Sequence, residues 1–450
     1  MRTIFVTALT GLEIRNFLVS DFYRFLQEKQ DMRVVFFVEA VKYEFCKNKF
    51  SQKNQTIEPV PDIQTAQKPL RRFLNLICYA SIATPTIQFR QKRAYLNGGS
   101  MINYLFKHFI WILGHFKIWK LLLRSFEYYI LHDDQIWKKY FERYRPAVVM
   151  GTSLTLDEDT ALLKYAKRRR IPTVGMVRSW DNLTSKTFLR IHPDRLLVQN
   201  PHMVEEATKL GDYPRERIRI VGFPQFEKYF DSAWHMSREE LAARFNLDPG
   251  KRWITYFTGG LPLSVLNKRD YTDHVLMLKR SCERGEFGNA QILVRVHPND
   301  NIILQGEAAK IPILDFGKDF KFGWDDVKLL LNVLRLSDVT INLGSTIALE
   351  AAIFNRPIIL AAFNGYDEDK LPWQNKLSVT LANTVHYKDV EETGGVWKVR
   401  NEKELIQAVK TYLENPKLHE EGRRRLVETL VGPIGGASQR IFDTVISLIK

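Results

Sequence analysis

A turn of small residues between a strand pattern and a helix pattern is the strongest chemical signal in this 450-residue sequence. The segment SDVTINLGSTIALEAAIFNRPIIL, residues 337–360, predicts a strand, a turn through Gly344, Ser345 and Thr346, a helix and another strand. The first backbone N–H groups of a helix lack intrahelical acceptors, so they can bind an anion. Glu350 follows on the same helix, where its carboxylate can accept hydrogen bonds from a ribose. The pattern favours a nucleotide site, and a capped helix with a solvated glutamate is the alternative.

Two more strand ends in this half of the chain carry groups suited to phosphate binding. In ILVRVHPND, residues 292–300, a strand leads to Arg295 and His297, and both side chains can hydrogen-bond phosphate oxygens. A lone histidine is often structural, so that alternative stays open. In FTGGLPLS, residues 257–264, a strand ends at Gly259 and Gly260, where the backbone can approach a donor closely. A plain strand-to-helix turn explains this last motif equally well.

The best candidate for a general base lies in the first half of the chain. The segment VRSWDNLTSKT, residues 177–187, follows a strand pattern and contains Asp181 beside Trp180, whose bulk can exclude water. Arg178 and Lys186 can contact phosphates, and Asn182 belongs to the same loop. The alternative is an Asx-turn in which Asp181 and Asn182 cap the loop.

Other motifs are weaker or absent. Asp157, Glu158 and Asp159 form a rival carboxylate cluster, but they stand at a predicted helix start, where stabilisation of the helix dipole explains them better. TGLEIRN is predicted to be a loop after the first strand, and its Gly11 can face an acceptor, although no G-x-G-x-x-G is present. The sequence has no H-E-x-x-H, paired cysteines, Walker motif or G-x-S-x-G. We therefore expect no metal and no bound cofactor.

The composition favours an anionic partner. Lys and Arg total 66 against 51 Asp and Glu, which gives a formal net charge of +15. No acidic residue occurs between Ile63 and Phe126, where bases alternate with aromatic residues. Three interpretations of the stretch 66–145 are open. Its helices can pack on the domain with Lys and Arg side chains reaching to solvent, or they can contact an anionic membrane surface. The third is binding of nucleic acid, which we do not expect. Charges interrupt every apolar run, so the expected location is cytoplasmic, with a peripheral membrane position open.

The elements that must position these motifs form two α/β series. Strand and helix patterns alternate through each half of the chain, while residues 48–68 predict a loop. We predict one Rossmann-like domain over 1–225, with a basic aromatic helical insertion at about 66–145. A second follows over 226–432, and a C-terminal helix over 433–450 packs on the first domain. Open α/β sheets bind ligands beyond the carboxyl ends of their strands, where the motifs above lie.

In this organisation the sequence resembles the two-domain GT-B glycosyltransferases, over most of its length. The resemblance implies two Rossmann-like domains facing a cleft, with the acceptor on the first domain and a nucleotide donor on the second. It also implies that Glu350 holds the donor ribose and that Gly344, Ser345 and Thr346 hold its pyrophosphate.

A narrower similarity is to the CDP-glycerol glycerophosphotransferase-like group and related surface-carbohydrate enzymes. That group carries a loop of the type T-W-H-G-T-P-L-K, where this sequence has SWDNLTSK, so that Asp181 replaces the proposed base. Its H-P pair is matched by His297 and Pro298, and its D-Y-S-S-x-x-x-D motif becomes NLGSTIALE. The two departures shift the expectation from glycerophosphate transfer to sugar transfer with a carboxylate base.

The sequence therefore predicts a metal-independent, inverting glycosyltransferase that moves a sugar from a nucleotide sugar to a hydroxyl of a glycan or lipid-linked acceptor, in surface-polysaccharide or lipid-linked glycan synthesis. Asp181 takes the hydroxyl proton, while Arg295, His297, Ser345 and Thr346 stabilise the leaving diphosphate. The alternatives are a CDP-polyol phosphotransferase, a sugar-nucleotide 2-epimerase, and a non-enzymatic protein that binds lipid or nucleic acid.

Overall fold

Alternating strands and helices build two structural units in a computed structural model of the chain. The structure describes residues 1–60, 69–259, 268–297, 300, 304, 306–314 and 325–449. Unit 1 comprises Met1–Phe230 and Val431–Lys450, and unit 2 comprises Asp231–Leu430.

Unit 1 is organised around a parallel sheet. Its strands are β1 (Arg2–Thr7), β2 (Met32–Glu39), β3 (Gln55–Val60), β4 (Pro146–Gly151), β5 (Thr173–Met176), β6 (Arg195–Val198) and β7 (Ile218–Ile220). In the described part of the chain they form a seven-stranded sheet of order β3-β2-β1-β4-β5-β6-β7, with every neighbouring pair parallel. The order reverses direction between β1 and β4, which is the point where Rossmann-type sheets open a crevice for ligands.

The central strands of this sheet are mostly apolar and buried, as in parallel sheets that helices cover on both faces. The helices are α1 (Gly11–Leu18), α2 (Asp21–Glu28), α3 (Tyr43–Phe50), α4 (Pro69–Ala80), α5 (Pro85–Leu96), α6 (Met101–Leu113), α7 (Lys117–Tyr129), α8 (Lys138–Tyr144), α9 (Asp157–Arg168), α10 (Asn182–Ser185) and α11 (Pro201–Lys209).

Two sequence predictions about loops are wrong. TGLEIRN is not a loop, because it forms most of α1, whose first turn is closed by a capping box between Thr10 and Glu13. Residues 48–68 are not all loop either, since Gln55–Val60 is the parallel edge strand β3. Pro59 is tolerated there because an edge strand need not donate on its open side.

The basic aromatic segment is helical and is fastened to unit 1 through buried charges. Arg71 of α4 donates two hydrogen bonds to the Glu127 carboxylate of α7, at 2.7 and 2.9 Å, and Lys164 of α9 donates a third at 3.0 Å. Burial alone raises the pKa of Glu127, but Arg190, Arg71 and Lys164 outweigh it and lower that pKa to about 2. The cluster therefore joins two helices of the segment to a helix that covers the sheet.

Unit 2 repeats the same architecture. Its strands are β8 (Arg252–Phe257), β9 (Ala290–Arg295), β10 (Ile313–Leu314), β11 (Val339–Asn342), β12 (Ile358–Ala361) and β13 (Trp397–Val399). Among the described residues they form a six-stranded parallel sheet of order β10-β9-β8-β11-β12-β13, which reverses direction between β8 and β11. Its helices are α12 (Arg238–Phe245), α13 (Lys268–Glu283), α14 (Asp325–Leu336), α15 (Ile347–Ile353), α16 (Leu377–Ala382), α17 (Val385–Glu392), α18 (Glu402–Glu414) and α19 (Glu420–Leu426).

The last helix, α20 (Ala437–Ile446), returns to unit 1. Its Phe442 ring packs against Phe25 of α2 with centroids 5.9 Å apart, and the backbone N–H of Ser438 donates to Glu227 at 2.7 Å. Among the described residues, no helix is both long and apolar enough to cross a membrane.

Candidate functional site

In unit 2 the predicted donor residues gather at the carboxyl edge of the sheet, around the reversal between β8 and β11. Gly259 follows β8, His297 follows β9, and the turn 343–346 follows β11. Because neighbouring parallel strands end at the same edge, these three loops lie side by side. The His297 N–H donates to Thr258 Oγ1 at 2.7 Å, which ties the loop after β9 to the loop after β8.

The turn after β11 requires glycine at position 344. Gly344 has a φ of 86°, in the left-handed region, and its N–H donates to the side-chain oxygen of Asn342 at 3.0 Å. A Cβ at this position would lie 2.7 Å from a Leu381 methyl carbon and 3.1 Å from the Tyr387 ring. The backbone is therefore held close to α16 and α17, and the following hydroxyls sit at a defined place.

Those hydroxyls open α15. Ser345 Oγ accepts the N–H of Ile347 at 3.3 Å, and Thr346 occupies the position before the first helical residue. Glu350 stands one turn further along, with its backbone N–H on the Thr346 carbonyl at 3.1 Å. Glu350 is 6% exposed, so the alternative of a solvated glutamate is wrong. A buried carboxylate is stable only where polar groups surround it.

The surroundings of the His297 imidazole favour its neutral form. Burial lowers its pKa below the usual value, the nearby Asp300 raises it, and Arg295 lowers it further. A neutral imidazole can donate one hydrogen bond to a phosphate oxygen without adding a buried charge.

Arg295 is held inside unit 2. Its guanidinium forms an ion pair with Asp326, and Nη1 donates to the carbonyls of Val296 at 2.7 Å and Leu314 at 3.2 Å. The residue is 4% exposed. Arg295 thus fastens the strand end that carries His297, an arrangement that sequence reasoning missed because Asp326 lies 31 residues away along the chain.

The loop after β8 contains the first of the two predicted glycines. The Gly259 N–H lies 3.4 Å from the Tyr271 hydroxyl oxygen. Gly260 lies outside the described residues.

A buried polar network behind this edge was also missed. The Tyr256 hydroxyl donates to His274 Nδ1 at 2.8 Å, and His274 Nε2 donates to the Asn364 carbonyl at 3.2 Å. Burial lowers the pKa of His274 to about 4, so it stays neutral. Asp270 accepts the Gly365 N–H at 2.9 Å and completes the support of the loop after β12. Asp270 and His274 are a polar i, i+4 pair, which was the available signal in the sequence.

In unit 1 the structure brings Asp181 and Lys186 together. Asp181 precedes the short helix α10, and its Oδ2 lies 2.7 Å from Lys186 Nζ. The Asp181 carbonyl accepts the Ser185 hydroxyl at 2.7 Å, but the Asp181 side chain makes no capping hydrogen bond to α10. Trp180 and Asn182 are buried at 5% and 2% exposure, and they hold the loop in place.

Arg178 pairs with Glu13, a residue that sequence reasoning missed and that lies on the helix that Gly11 begins. Gly11 begins α1 at the end of β1, and Glu13 lies in its first turn. The Glu13 carboxylate accepts the Thr10 N–H at 2.8 Å and lies 3.2 Å from Arg178 Nε. The T-x-x-E spacing of Thr10 and Glu13 is a capping-box signal that would have identified it.

The rival carboxylates lie in the first turn of α9, as predicted, and two of them are engaged by neighbouring groups. Asp157 forms an ion pair with Arg190 at 2.6 Å, and Asp159 accepts the Ser153 N–H at 2.6 Å. Burial raises the pKa of Asp159 well above its usual value, while Thr7 and Ser153 oppose that shift.

A polar cavity of about 270 Å³ adjoins these groups within unit 1. Asn75 and Tyr79 of α4, Asp157, Glu158 and Arg190 line it, together with Lys186. The cavity therefore shares Lys186 with the Asp181 pair.

No protein-family model and no curated protein matches the chain. Solved structures do match. A UDP-GlcNAc 2-epimerase from Neisseria meningitidis bound to UDP-GlcNAc has a TM-score of 0.54 at 10% identity, over 99% of this chain and 100% of that one. The wall teichoic acid polymerase TagF has 0.52 at 13%, over 100% and 89%. A glycosyltransferase from Rickettsia africae has 0.50 at 10%, over 100% and 99%. The chain therefore has the GT-B fold, as the resemblance predicted.

Proposed function

We propose that this protein is a metal-independent, inverting glycosyltransferase that uses a nucleotide sugar. The observation that carries the proposal is the site at the carboxyl edge of the unit 2 sheet. There a glycine-dependent turn presents Ser345 and Thr346, with the buried carboxylate of Glu350 one helical turn away. This combination suits a ribose joined to a diphosphate.

In the proposed complex the ribose hydroxyls donate to Glu350. The hydroxyls of Ser345 and Thr346 and the neutral imidazole of His297 donate to the diphosphate oxygens. Arg295 positions the strand end that carries His297, because its guanidinium donates to Asp326 and to two backbone carbonyls. Donors that are already oriented stabilise the charge that develops on the leaving group without reorganising.

Transfer then proceeds by a single displacement. The acceptor hydroxyl oxygen attacks the anomeric carbon, the bond from that carbon to the diphosphate oxygen breaks, and the nucleoside diphosphate leaves with the bonding electrons. Asp181 accepts the hydroxyl proton, and Lys186, 2.7 Å from its carboxylate, helps to orient it. Attack from the face opposite the leaving group inverts the anomeric centre.

Two other reactions use similar parts. A CDP-polyol phosphotransferase is favoured by the structural likeness to TagF and by the His297–Pro298 pair. A sugar-nucleotide 2-epimerase is favoured by the likeness to epimerase structures, one of which binds UDP-GlcNAc. The first attacks phosphorus instead of carbon, and the second needs no acceptor.

The test is a two-stage assay on the full chain. Thermal-shift measurements with UDP, CDP, GDP and CMP identify the base, and we expect stabilisation by one nucleoside diphosphate. The matching nucleotide sugars are then incubated without and with glycan or polyprenyl-linked acceptors, and products are analysed by mass spectrometry and NMR. We expect acceptor-dependent release of the diphosphate and an inverted linkage. Conversion of the nucleotide sugar without acceptor assigns the epimerase, transfer of a polyol phosphate assigns the phosphotransferase, and absence of nucleotide binding refutes all three.

A further inference from the structure

Helix α6 exposes an apolar stripe instead of burying it. Its exposed members recur at helical spacing along one face: Ile102, Leu105, Phe106, Phe109 and Ile112. Ile102 is 80% exposed and Phe109 57%, while Ile110, on another face, is buried. An amphipathic helix in a soluble unit normally turns its apolar stripe to the core. Here the stripe faces outward.

Helix α7 has the same property. Ile118, Leu121 and Leu122 are 64%, 54% and 56% exposed, whereas Leu123 is buried. The turn between the two helices contains Phe116, which is 55% exposed, so the stripe of α6 continues into that of α7. The turn is tightly seated, because a Cβ on Gly114 would lie 2.2 Å from the Ser81 carbonyl oxygen.

Helix α4 extends this surface. Phe73, 52% exposed, stacks on Phe106 of α6 with ring centroids 6.3 Å apart. Leu70 and Leu76 lie one turn away on either side of Phe73 and are 44% and 36% exposed. We call the exposed apolar residues of α4, α6, α7 and the turn at Phe116 the apolar face. An exposed apolar surface of this extent marks an interaction site.

The apolar face is not an unfolded or loosely attached element. Leu74, Cys78, Ile87 and Leu123 form a buried core beneath it. The indole nitrogens of Trp111 and Trp119 point inward and donate to the Thr84 carbonyl at 3.0 Å and to Ser81 Oγ at 2.9 Å. Trp111 and Trp119 therefore attach α6 and α7 to the residues after α4 and do not cover the apolar stripes.

The segment that carries the apolar face is basic, since no acidic residue occurs from Ile63 to Phe126. Some of its basic side chains pair with acidic residues that lie outside the segment, and others are exposed. Arg71, Lys120 and Arg124 are buried on Glu127 or Asp212, whereas Arg72 and Lys117 are exposed. Within the described residues, no ion pair involves Arg72, Lys107 or Lys117.

From this arrangement we infer that the apolar face of α4, α6 and α7 docks on the surface of an anionic lipid bilayer. The aliphatic and aromatic side chains enter the acyl boundary, and Arg72, Lys107 and Lys117 contact the anionic head groups. Helix α6 has 13 residues and is about 20 Å long, too short to span a hydrocarbon core of about 30 Å, so the helices lie in the plane of the surface.

Charge complementarity decides between a bilayer and other occupants. A second copy of this chain would bring two sets of unpaired cations together, which disfavours association. Nucleic acid would contact the basic side chains but would leave the aliphatic side chains of the stripes in water. An anionic bilayer satisfies both the cations and the stripes. This inference stands independently of the proposed function, since it requires no nucleotide and no turnover.

The test is co-sedimentation of the full chain with vesicles of equal parts phosphatidylglycerol and phosphatidylcholine. We expect binding to these vesicles, and weaker binding to pure phosphatidylcholine. The triple variant Ile102→Asp, Phe109→Asp, Leu122→Asp should bind more than about tenfold more weakly, since the burial of even one such side chain contributes about a factor of ten. Lys107→Gln and Lys117→Gln should each weaken binding about fivefold, an effect that added salt suppresses.

The matched control is Val41→Asp, which replaces an 88% exposed apolar residue elsewhere in unit 1 and should bind like the parent chain. Thermal unfolding checks that each variant is folded. Analytical ultracentrifugation without lipid supplies the second readout. Failure of the parent chain to bind anionic vesicles, or equal binding by the triple variant, overturns the inference. So does a dimer that the triple variant dissociates, because the face would then belong to a second copy.

Discussion

Lys186 Nζ lies 2.7 Å from Asp181 Oδ2, at opposite ends of the short helix α10. The Asp181 side chain is 16% exposed and the Lys186 side chain 53% exposed. The pair therefore lies at the surface of unit 1, with the carboxylate partly buried. The arrangement is compatible with both a structural role, in which Asp181 holds Lys186, and a general base.

Asp181→Asn separates these two roles. The amide keeps the size of the side chain and can still accept a hydrogen bond from Lys186, but it cannot take the proton of the acceptor hydroxyl. We expect transfer to fall by about 10²–10⁴-fold, with nucleotide affinity unchanged, as measured by product formation and calorimetry. The control is Asp443→Asn, at an exposed carboxylate of α20, which should leave both unchanged. Full activity in Asp181→Asn removes this residue from the mechanism.

Glu350→Ala should weaken binding of the nucleoside diphosphate, because the ribose hydroxyls lose their acceptor. A hydrogen bond to a charged group contributes about 1.5–3 kcal/mol, so we expect a dissociation constant at least about tenfold higher. Since Glu350 is buried, Glu350→Gln is the second variant; it preserves packing and should lose affinity to a smaller extent. Unchanged affinity in both variants, by calorimetry, refutes the ribose role.

Gly344→Ala should damage the turn after β11 in two ways. A left-handed φ costs a non-glycine residue about 1–2 kcal/mol, and the new methyl group lies 2.7 Å from Leu381. Gly285→Ala is the matched control, because Gly285 also has a positive φ, 76°, but nothing lies within 4 Å of the added carbon. We expect a larger drop in thermal unfolding midpoint for Gly344→Ala, together with loss of nucleotide binding. Equal effects of the two substitutions contradict the close approach.

The buried His274 should make the protein less stable in mild acid. Its folded-state pKa is about 4, below the value of about 6.5 expected in the unfolded chain. As the pH falls from about 6.5 to 4, the unfolded chain takes up a proton that the folded chain does not. Stability is therefore present above pH 6.5 and declines by up to about 3 kcal/mol on acidification.

Urea unfolding at several pH values measures this decline. His274→Gln should flatten it, whereas Tyr256→Phe removes a hydrogen-bond donor to Nδ1 but keeps the titrating imidazole, and should keep the decline. If His274→Gln retains the parent slope, another group is responsible.

The GT-B fold was predicted from the resemblance to that family, whereas local periodicity was enough to predict two α/β series, because strand and helix patterns depend on short-range spacing. The same is true of the turn at Gly344 to Thr346, whose residue types specify their own backbone. Where local patterns are weak, prediction fails: the sequence predicts a loop for α1, although Thr10 and Glu13 cap it, and a loop for β3, because Pro59 interrupts it.

Only the tertiary structure decided which charges are engaged. Arg295 is directed to Asp326, and Lys120 and Arg124 are directed to Asp212, through contacts between residues 31 to 92 positions apart. Sequence spacing carries no information about such pairs, because they depend on which elements the sheets bring together. The same reason explains the apolar face: the stripes on α6 and α7 are visible as periodicity, but whether a stripe is covered depends on the elements packed around it. The residue types determined which charged groups and apolar stripes each segment carries. Packing determined which of them are paired or buried and which remain exposed.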